Sequence, residues 1–199
     1  MIRVASADIK GLATFLQRTP EVAQEAAKLA VSDTADWGKN MAARMFTSTV
    51  NLPADALAAR RFRVSQRPTS ARPEAIISAD NNPLGLSRFV VGAKKPGTPH
   101  PRTQVLVGGS VKQWSAPGGD NYAFLIPTPN GAAGVGLAIR TKGALRNSKA
   151  ARQIGRNLYL LSGPSVNQMF AQLMPAIVPR VEAKLQAEFQ RQYSRLIRG

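Results

Sequence analysis

The chain has 199 residues, of which 44% are apolar, so it can bury at least one good-sized core and is not disordered throughout. It contains no cysteine, which excludes disulfides and thiolate chemistry, and no apolar run approaches the roughly 20 residues needed to cross a bilayer. No secretory leader is expected, and we expect the protein to be made in the cytoplasm.

Positive charge dominates the middle of the sequence, within a net charge of +16. Residues 1–57 hold six basic and six acidic side chains, whereas residues 58–156 hold sixteen Lys and Arg against Glu74, Asp80 and Asp120. A field this one-sided favours a polyanionic partner, either nucleic acid or an acidic protein. A basic surface that only maintains solubility is the plain alternative.

A long helix is predicted over residues 19–47. Thr19 and Pro20 suit its N-cap and first turn, and Glu21 places a carboxylate near the positive end of the helix dipole. One face then carries an apolar stripe that we expect to pack on a sheet, with Trp37 as a core anchor. The stripe consists of Val22, Ala26, Leu29, Ala30, Trp37, Met41 and Met45.

Residues 60–142 are predicted to form an antiparallel sheet, because the apolar spacing changes to the period of strands. Short strands are expected from Phe62, at residues 74–79 and at residues 86–91, with turn residues between them. In this arrangement arginines lie on one face of the first strand and apolar side chains on the other.

Three segments of this region carry further expectations. Residues 93–102, AKKPGTPHPR, are predicted to be an exposed basic loop or arm that reaches a neighbouring subunit or protein. Residues 104–114 and 121–127 are expected to pair as a long hairpin, followed by a bulged strand over residues 131–141. Residues 142–156 carry five basic side chains and no acidic one, which indicates a basic loop that becomes ordered on assembly.

The C-terminal part begins with a strand that leads into a helix. Residues 158–161 suit a buried strand, residues 162–163 are expected to end it, and Pro164 suits the first turn of a helix. Val166 and Phe170 then lie on an apolar face that we predict to be buried. Two further prolines are expected to divide residues 164–198 into more than one helix.

The residue set offers little for catalysis. His100 is the lone histidine and sits between two prolines, whereas a metal site usually needs two or more His, Cys or carboxylate ligands in concert. No Ser-His-Asp order or phosphate-binding P-loop is present. We therefore predict that the protein is not an enzyme and uses neither a metal nor a cofactor.

The stretch Gly163-Pro164-Ser165-Val166, followed by Met169-Phe170, resembles the GPSV..MF element of the phage minor tail protein Z family. Members of this family are tail-completion proteins at the head-proximal end of long-tailed phages. Three further regions fall in the family's order. They are the N-terminal amphipathic helix, a Pro-initiated helix that runs into an RRxRV strand at residues 60–64, and the long charged helix at residues 179–198.

The elements and the resemblance together predict a single α+β domain over residues 1–199. An antiparallel sheet is covered by the N-terminal helix and the C-terminal helices, and basic loops or arms extend from it. The resemblance implies a structural virion protein that completes the head-proximal end of the tail and joins it to the terminator, the neck or connector, or the tape measure. It also implies a homo-oligomer, a hexameric ring, in the tail of the virion after assembly in the host cytoplasm, with no membrane partner.

A sequence-nonspecific nucleic-acid-binding protein, acting as a monomer or dimer, is the alternative from a different class. In both cases the candidate contacts to a DNA backbone or an acidic partner are basic residues of the first strand, the arm and the loop. They are Arg60, Arg61, Arg63, Arg67, Lys94, Lys95, Arg102, Lys142, Arg146, Lys149, Arg152 and Arg156. The predicted structural motif consists of Gly163, Pro164, Ser165, Val166 and Phe170.

Overall fold

The structure, a computed structural model, describes residues 1–52, 62–92, 94–114, 121–132, 134–142 and 150–198. Its α-helices are α1 (Leu12–Arg18), α2 (Pro20–Thr49) and α3 (Val166–Arg198). Its strands are β1 (Ile2–Ala5), β2 (Phe62–Gln66), β3 (Glu74–Ala79), β4 (Pro83–Gly85), β5 (Val90–Val91), β6 (Arg102–Thr103), β7 (Lys112–Gln113), β8 (Tyr122–Ala132), β9 (Val135–Arg140), β10 (Ala151–Gly155) and β11 (Leu158–Ser165). Short 3-10 helices cover Ser6–Asp8 and Leu86–Phe89.

The architecture is α+β with antiparallel sheets, as the sequence predicts. Where the sequence led us to expect one domain, the chain divides into two compact units. The first unit is Met1–Phe46, Ala59–Asp80 and Phe170–Gly199. The second unit is Thr47–Ala58 and Asn81–Met169.

The first unit packs α2 and α3 against a three-stranded sheet of order β1–β3–β2. Ile77 lies on the central strand, with Ile2 of β1 and Val64 of β2 as its register partners. A Cβ atom at Gly38 of α2 would lie 3.2 Å from Ile77 Cδ1 and 3.4 Å from Val181 Cγ2 of α3. The missing side chain at Gly38 therefore allows α2 to approach both neighbours closely.

The buried face of α2 is made mostly of small residues. The helix itself agrees with the prediction over residues 19–47, but the buried face includes only Ala26 and Ala30 of the predicted apolar stripe. Trp37, which we expected to be a core anchor, is 37% exposed, so that prediction was wrong. Small side chains let the helix backbone approach its neighbours, and the larger side chains are left beside the contact. The buried residues are Ala23, Ala26, Ala27, Ala30, Val31, Thr34, Ala35, Gly38, Ala42 and Phe46.

An aromatic cluster joins three elements of the first unit. Phe62 of β2 packs edge to face on Phe46 of α2 and on Phe170 of α3, with ring centroids 5.5 and 5.1 Å apart. Phe170 is fully buried, as predicted. Edge-to-face pairs of this kind stabilise a core beyond the area that they bury.

The second unit is built on a sheet of order β10–β11–β9–β8, with β4 paired to the last part of β11. Leu125 of β8, Leu137 of β9 and Tyr159 of β11 are buried on one face of this sheet. The 3-10 helix Leu86–Phe89 packs on the same strands. Gly163 of β11 lies against the Phe89 ring, where a Cβ atom would come within 2.9 Å of a ring carbon.

The long hairpin of this unit is β8–β9, so the predicted pairing of residues 104–114 with residues 121–127 was wrong. Residues 102–113 contribute instead to a small sheet of order β5–β6–β7. The pairing of β8 with β9 places Leu125 opposite Leu137 in the core, whereas Lys112 and Gln113 of β7 are exposed. Burial of apolar residues therefore selects β9 as the partner of β8.

Residues 94–102 lie along β8 and do not project, so the predicted arm was wrong, whereas the predicted exposed loop agrees with the exposure of residues 95–97. Gly97 N donates to Leu125 O at 2.7 Å, and His100 N donates to Ala123 O at 3.0 Å. These bonds satisfy main-chain groups at the edge of the sheet, which a projecting arm would leave to water.

The strand β11 runs directly into α3, which begins at Val166 and not at Pro164 as predicted. Ser165 Oγ accepts a hydrogen bond from Gln168 N at 3.1 Å, and Gln168 Oε1 accepts one from Ser165 N at 2.9 Å. This reciprocal pair is a capping box, which fixes the helix start. Pro164 lies in the strand, at the place where the register between β11 and β4 shifts and a missing N–H is tolerated.

The helix α3 is continuous although it contains Pro175 and Pro179, so the predicted division into several helices was wrong. Both prolines are exposed, and the residues between and after them include a buried apolar face. Tertiary packing of that face holds the helix together despite the two missing N–H donors. The buried apolar residues after Pro175 are Ile177, Val181, Leu185 and Phe189.

Candidate polyanion-binding surface

The described part of the second unit contains nine Lys and Arg side chains and no Asp or Glu. Like charges this close raise the electrostatic potential of the whole unit, and no carboxylate of the described part of the unit lowers it. The nine cations are Arg88, Lys94, Lys95, Arg102, Lys112, Arg140, Lys142, Arg152 and Arg156.

The first unit differs because carboxylates accompany its cations. Arg67 donates two hydrogen bonds to Asp36, at 2.9 and 3.0 Å, and these bonds lower the pKa of the Asp36 carboxyl below its ordinary value. Arg3 lies 2.7 Å from Glu74 in the same unit. Part of the positive charge of the first unit is therefore neutralised within that unit.

Three cations of the second unit lie at one end of its large sheet. Arg140 is the last residue of β9, and Thr141 N donates to Asn157 O at 3.0 Å. Asn157 Nδ2 donates to Lys142 O at 3.4 Å. Asn157 has a φ of +54° in the turn between β10 and β11, a conformation that Asn tolerates well, and Arg156 precedes it there. Strand end and turn thus bring the three cations together.

An exposed aromatic ring lies at the same sheet end. Tyr122 begins β8 and is the register partner of Arg140, so their Cα atoms are about 5 Å apart. The Tyr122 side chain is 44% exposed. The rings of His100 and Phe124 pack against it, with centroids 5.3 and 5.4 Å away, and restrict its orientation. We call the following residues the basic sheet end: Tyr122, Arg140, Lys142 and Arg156.

The basic sheet end has the groups needed to bind an extended polyanion. A guanidinium presents a planar fork of N–H donors that matches the oxygens of a phosphate or a carboxylate. An exposed tyrosine ring adds a flat apolar surface, on which a sugar or a base of a nucleic acid can stack. The arrangement therefore suits a chain of phosphates and also the acidic surface of a protein.

Arg152, another predicted contact, lies in the edge strand β10 and is exposed. Its register partner is Leu160 of β11. The predicted basic loop over residues 142–156 was therefore wrong for Ala151–Gly155, because pairing with β11 gives this segment a regular strand.

The predicted cations of residues 93–102 are divided between two places. Lys94 Nζ donates to Arg88 O at 3.4 Å, beside the 3-10 helix, and Lys95 is exposed nearby in the chain. Arg102 is exposed on β6, in the small sheet. The structure therefore does not bring these three cations together at one point of a projecting arm.

The remaining predicted contacts lie elsewhere or outside the described residues. Arg63 is exposed on β2, and Arg67 is bound to Asp36; both belong to the first unit. Four predicted contacts and one residue of the predicted arm fall outside the described residues. These are Arg60, Arg61, Arg146, Lys149 and Ala93.

Sequence reasoning missed Arg140, Tyr122 and Lys112. Lys112 Nζ lies 4.1 Å from the centre of the Trp114 ring, in a cation–π contact on the small sheet. Arg140 is the single cation in residues 121–141, and it ends the apolar run VGLAIR. A cation that closes a buried strand marks the strand end, and this signal could have identified Arg140.

The described residues contain no group of three or more His, Asp or Glu side chains arranged to hold a metal ion. Their helices include none that is both long and apolar enough to cross a membrane. Comparison of the chain with protein-family models, with curated protein sequences and with solved structures finds no match.

Proposed function

We propose that the protein is a structural protein of a long-tailed phage or prophage, which completes the head-proximal end of the tail. It joins the tail to the terminator, the neck or the tape measure, and the basic sheet end contacts the DNA backbone or an acidic partner. The order of sequence elements, which resembles the minor tail protein Z family, supports the tail role. The observation that carries the contact is the second unit, with nine cations and no carboxylate among its described residues.

The physical reason is mutual repulsion of the cations. Positively charged side chains within a compact unit repel each other and raise the free energy of the unit. A bound polyanion lowers this free energy because it neutralises the side chains and releases its own counterions. Phosphates that are contacted in this way carry no base sequence information, so binding is insensitive to sequence. DNA that passes between head and tail meets this requirement, and so does an acidic neck or tape-measure protein.

A ring would multiply this weak contact. The resemblance implies a hexamer, in which the basic sheet end occurs once in each subunit. Repeated contacts along one polyanion bind more strongly than a single contact, because each further contact is made within the same complex. A few cations per subunit are then sufficient.

The tail role is tested by deletion of the gene in the phage or prophage that encodes it. We expect the lysate to contain heads and tails that are not joined, counted by electron microscopy, and joined particles to return when the chain is supplied from a plasmid. Normal infectivity of the deletion would refute the tail role.

The contact is tested with two matched double variants supplied from the same plasmid. Arg140→Gln with Arg156→Gln removes two charges from the basic sheet end, and we expect fewer joined particles. Arg195→Gln with Arg198→Gln removes two exposed charges from the end of α3 and serves as the control. Equal yields from both double variants would exclude the basic sheet end from the contact.

The exposed Tyr122 ring beside Arg140 favours a second candidate, a sequence-nonspecific nucleic-acid-binding protein that acts as a monomer or dimer. Size-exclusion chromatography with light scattering distinguishes the two, because a ring has a mass of several chains. A monomer or dimer that binds DNA, together with a deletion that leaves tails intact, would support the second candidate.

A further inference from the structure

A tight apolar turn is exposed in the second unit, between β6 and β7. Gly109 N donates to Leu106 O at 3.0 Å and closes the turn, and Gly108 has a φ of +72°, which a side chain would disfavour. Leu106 is 38% exposed and Val107 is 58% exposed. Two neighbouring exposed aliphatic side chains form a small apolar patch, which is removed from water when a partner covers it. We call Leu106 and Val107 the apolar turn.

Hydrogen bonds to neighbouring segments fix the apolar turn in place. Val107 N donates to Thr49 O at 2.9 Å, and Gln104 Nε2 donates to Gly109 O at 2.9 Å. A fixed turn presents its side chains without a further loss of conformational entropy on binding. The apolar turn is therefore suited to insertion into a recess.

Cations flank the apolar turn. Arg102 of β6 and Lys112 of β7 are exposed on the two strands that lead into and out of this segment. These strands pair with each other, with Arg102 opposite Gln113 and Thr103 opposite Lys112. A recess that accepts the apolar turn should therefore be apolar inside and acidic at its rim.

The first unit has a crevice between β1 and α3, which is lined by both apolar and charged side chains. Its volume is about 270 Å³, and Val4, Val181 and Leu185 line its interior. Asp8 and Glu182 also line it and are exposed. A cavity of about 150 Å³ already accommodates benzene, so this crevice has room for an aliphatic side chain.

One cation also lines this crevice. Arg3 is paired with Glu74, at 2.7 Å, and Arg72 is paired with the same carboxylate, so that Glu74 compensates only part of the charge of Arg3. The lining of the crevice therefore holds two carboxylates, Asp8 and Glu182, against one cation.

We propose that the apolar turn of one copy of the chain inserts into the crevice of a second copy, with Arg102 and Lys112 facing Asp8 and Glu182. The second copy is the occupant because the same chain carries both surfaces, and they match in size and carry opposite charges. This contact joins two different surfaces, so repetition of it closes a ring or extends a filament. This proposal rests on the proposed function in one respect: the contact joins the subunits of the proposed ring.

The absence of cysteine in the chain permits a direct test by disulfide cross-linking. Val107→Cys and Ala7→Cys are made as two separate proteins; Ala7 is exposed and lines the crevice. Mild oxidation of the equimolar mixture should give at least ten times more cross-linked dimer than either variant alone. Mass spectrometry of the digested dimer should identify a link between positions 107 and 7.

A matched control uses an exposed apolar residue of the same unit. Ile154→Cys, at a position 41% exposed on β10, is mixed with Ala7→Cys and should give only the background yield. Equal yields from the mixtures with Val107→Cys and Ile154→Cys would overturn the proposal. A higher yield from Val107→Cys alone than from its mixture would also overturn it, because that result indicates a symmetric contact.

Charge reversal gives a second, independent readout. We expect Glu182→Lys to weaken self-association at least tenfold in sedimentation equilibrium, and Lys112→Glu in the same chain to recover part of that loss. An unchanged association constant, or a wild-type chain that stays monomeric, would overturn the proposal. If the chain forms rings and tails but positions 107 and 7 do not cross-link, this contact is overturned and the tail role stands. Intact tails after gene deletion would instead overturn the tail role.

Discussion

At the level of single residues, Phe170 is expected to be among the most important side chains for stability. It is fully buried and packs on the Phe62 ring at 5.1 Å. Phe170→Ala should lower the free energy of unfolding by about 3–5 kcal/mol, because it removes the ring and leaves a cavity. Urea denaturation measures this loss. Ile197→Ala, at a position that is 54% exposed on the same helix, is the control and should change stability by less than about 0.5 kcal/mol.

A buried carboxylate in α3 should make the stability of the protein depend on pH. Glu188 is 4% exposed and accepts hydrogen bonds from Arg191 Nε at 2.7 Å and Lys184 Nζ at 3.2 Å. Burial by itself raises the pKa of Glu188, but the hydrogen bonds from Arg191, Lys184 and Gln192, together with the positive charge of Arg191, lower it more. The pKa of Glu188 therefore lies below its ordinary value.

The lowered pKa predicts how stability changes with pH. Since the unfolded chain binds this proton more readily than the folded chain, Glu188 contributes stability above the pKa of its unfolded state. That contribution is lost as the pH falls through the folded pKa. Glu188→Gln should be less stable than wild type at pH 7 but lose less free energy of unfolding between pH 7 and pH 3, measured by urea denaturation. Parallel pH profiles would contradict this assignment.

At the level of the elements, Gly38 determines how closely α2 can approach its neighbours. A Cβ atom there would already be 3.2 Å from Ile77 and 3.4 Å from Val181, and a branched side chain would overlap both. Gly38→Val should destabilise the first unit by about 1–3 kcal/mol through overpacking. Asn40→Val places the same side chain at an exposed position of α2 and controls for helix propensity. An equal decrease of the melting temperature in the two variants would contradict this packing.

Local sequence signals predicted some elements well. The Thr19-Pro20-Glu21 start places α2 within a few residues of its bounds, and the run from Glu74 to Ala79 is β3. These segments carry their own caps or apolar runs, so tertiary contacts do not need to override them. The α+β class follows from the same signals.

Long-range pairing could not be read in the same way. β8 and residues 104–114 have turn residues between them, which suggested a hairpin, but β8 pairs with β9 because that pairing buries more apolar surface. Trp37 was assigned to the core because it lies on the predicted apolar stripe, whereas close packing of α2 selects mostly small side chains. Both errors arise because burial depends on which elements meet, and local spacing does not contain that information.

The candidate site was also predicted only where the signal is local in the sequence. Clustering of basic residues in the sequence identified Lys142, Arg152 and Arg156 as candidate contacts. It did not identify Arg140 or Tyr122, since each lies beside an apolar run in the sequence. Strand register alone brings Tyr122 beside Arg140. Whether these residues bind a polyanion stays a prediction.

At the level of the whole molecule, binding to DNA should be dominated by phosphate contacts. The affinity should be similar for unrelated sequences and should fall steeply with salt, because each contacted phosphate releases counterions. Arg140→Gln with Arg156→Gln should make the slope of log affinity against log salt shallower by about 2, since each contact contributes about 0.9. Fluorescence anisotropy with a labelled duplex measures this slope.

The control for this measurement is the double variant of the α3 end, Arg195→Gln with Arg198→Gln. It changes the net charge by the same amount, so a general effect of charge would change both slopes equally. A shallower slope only for the basic sheet end would locate the phosphate contacts there, and an unchanged slope would exclude that surface from DNA contact.

The direct passage from β11 into α3 limits how the length of this chain can vary. No loop residue separates Ser165 from Val166, so an insertion or deletion in the strand cannot be absorbed before the helix begins. One added residue would reverse the two faces of β11 beyond that point, so that the helix and its capping box would be displaced together relative to the core. Val166 and Phe170 would then leave the core. We therefore expect length changes between Leu158 and Phe170 to be tolerated far less than substitutions there.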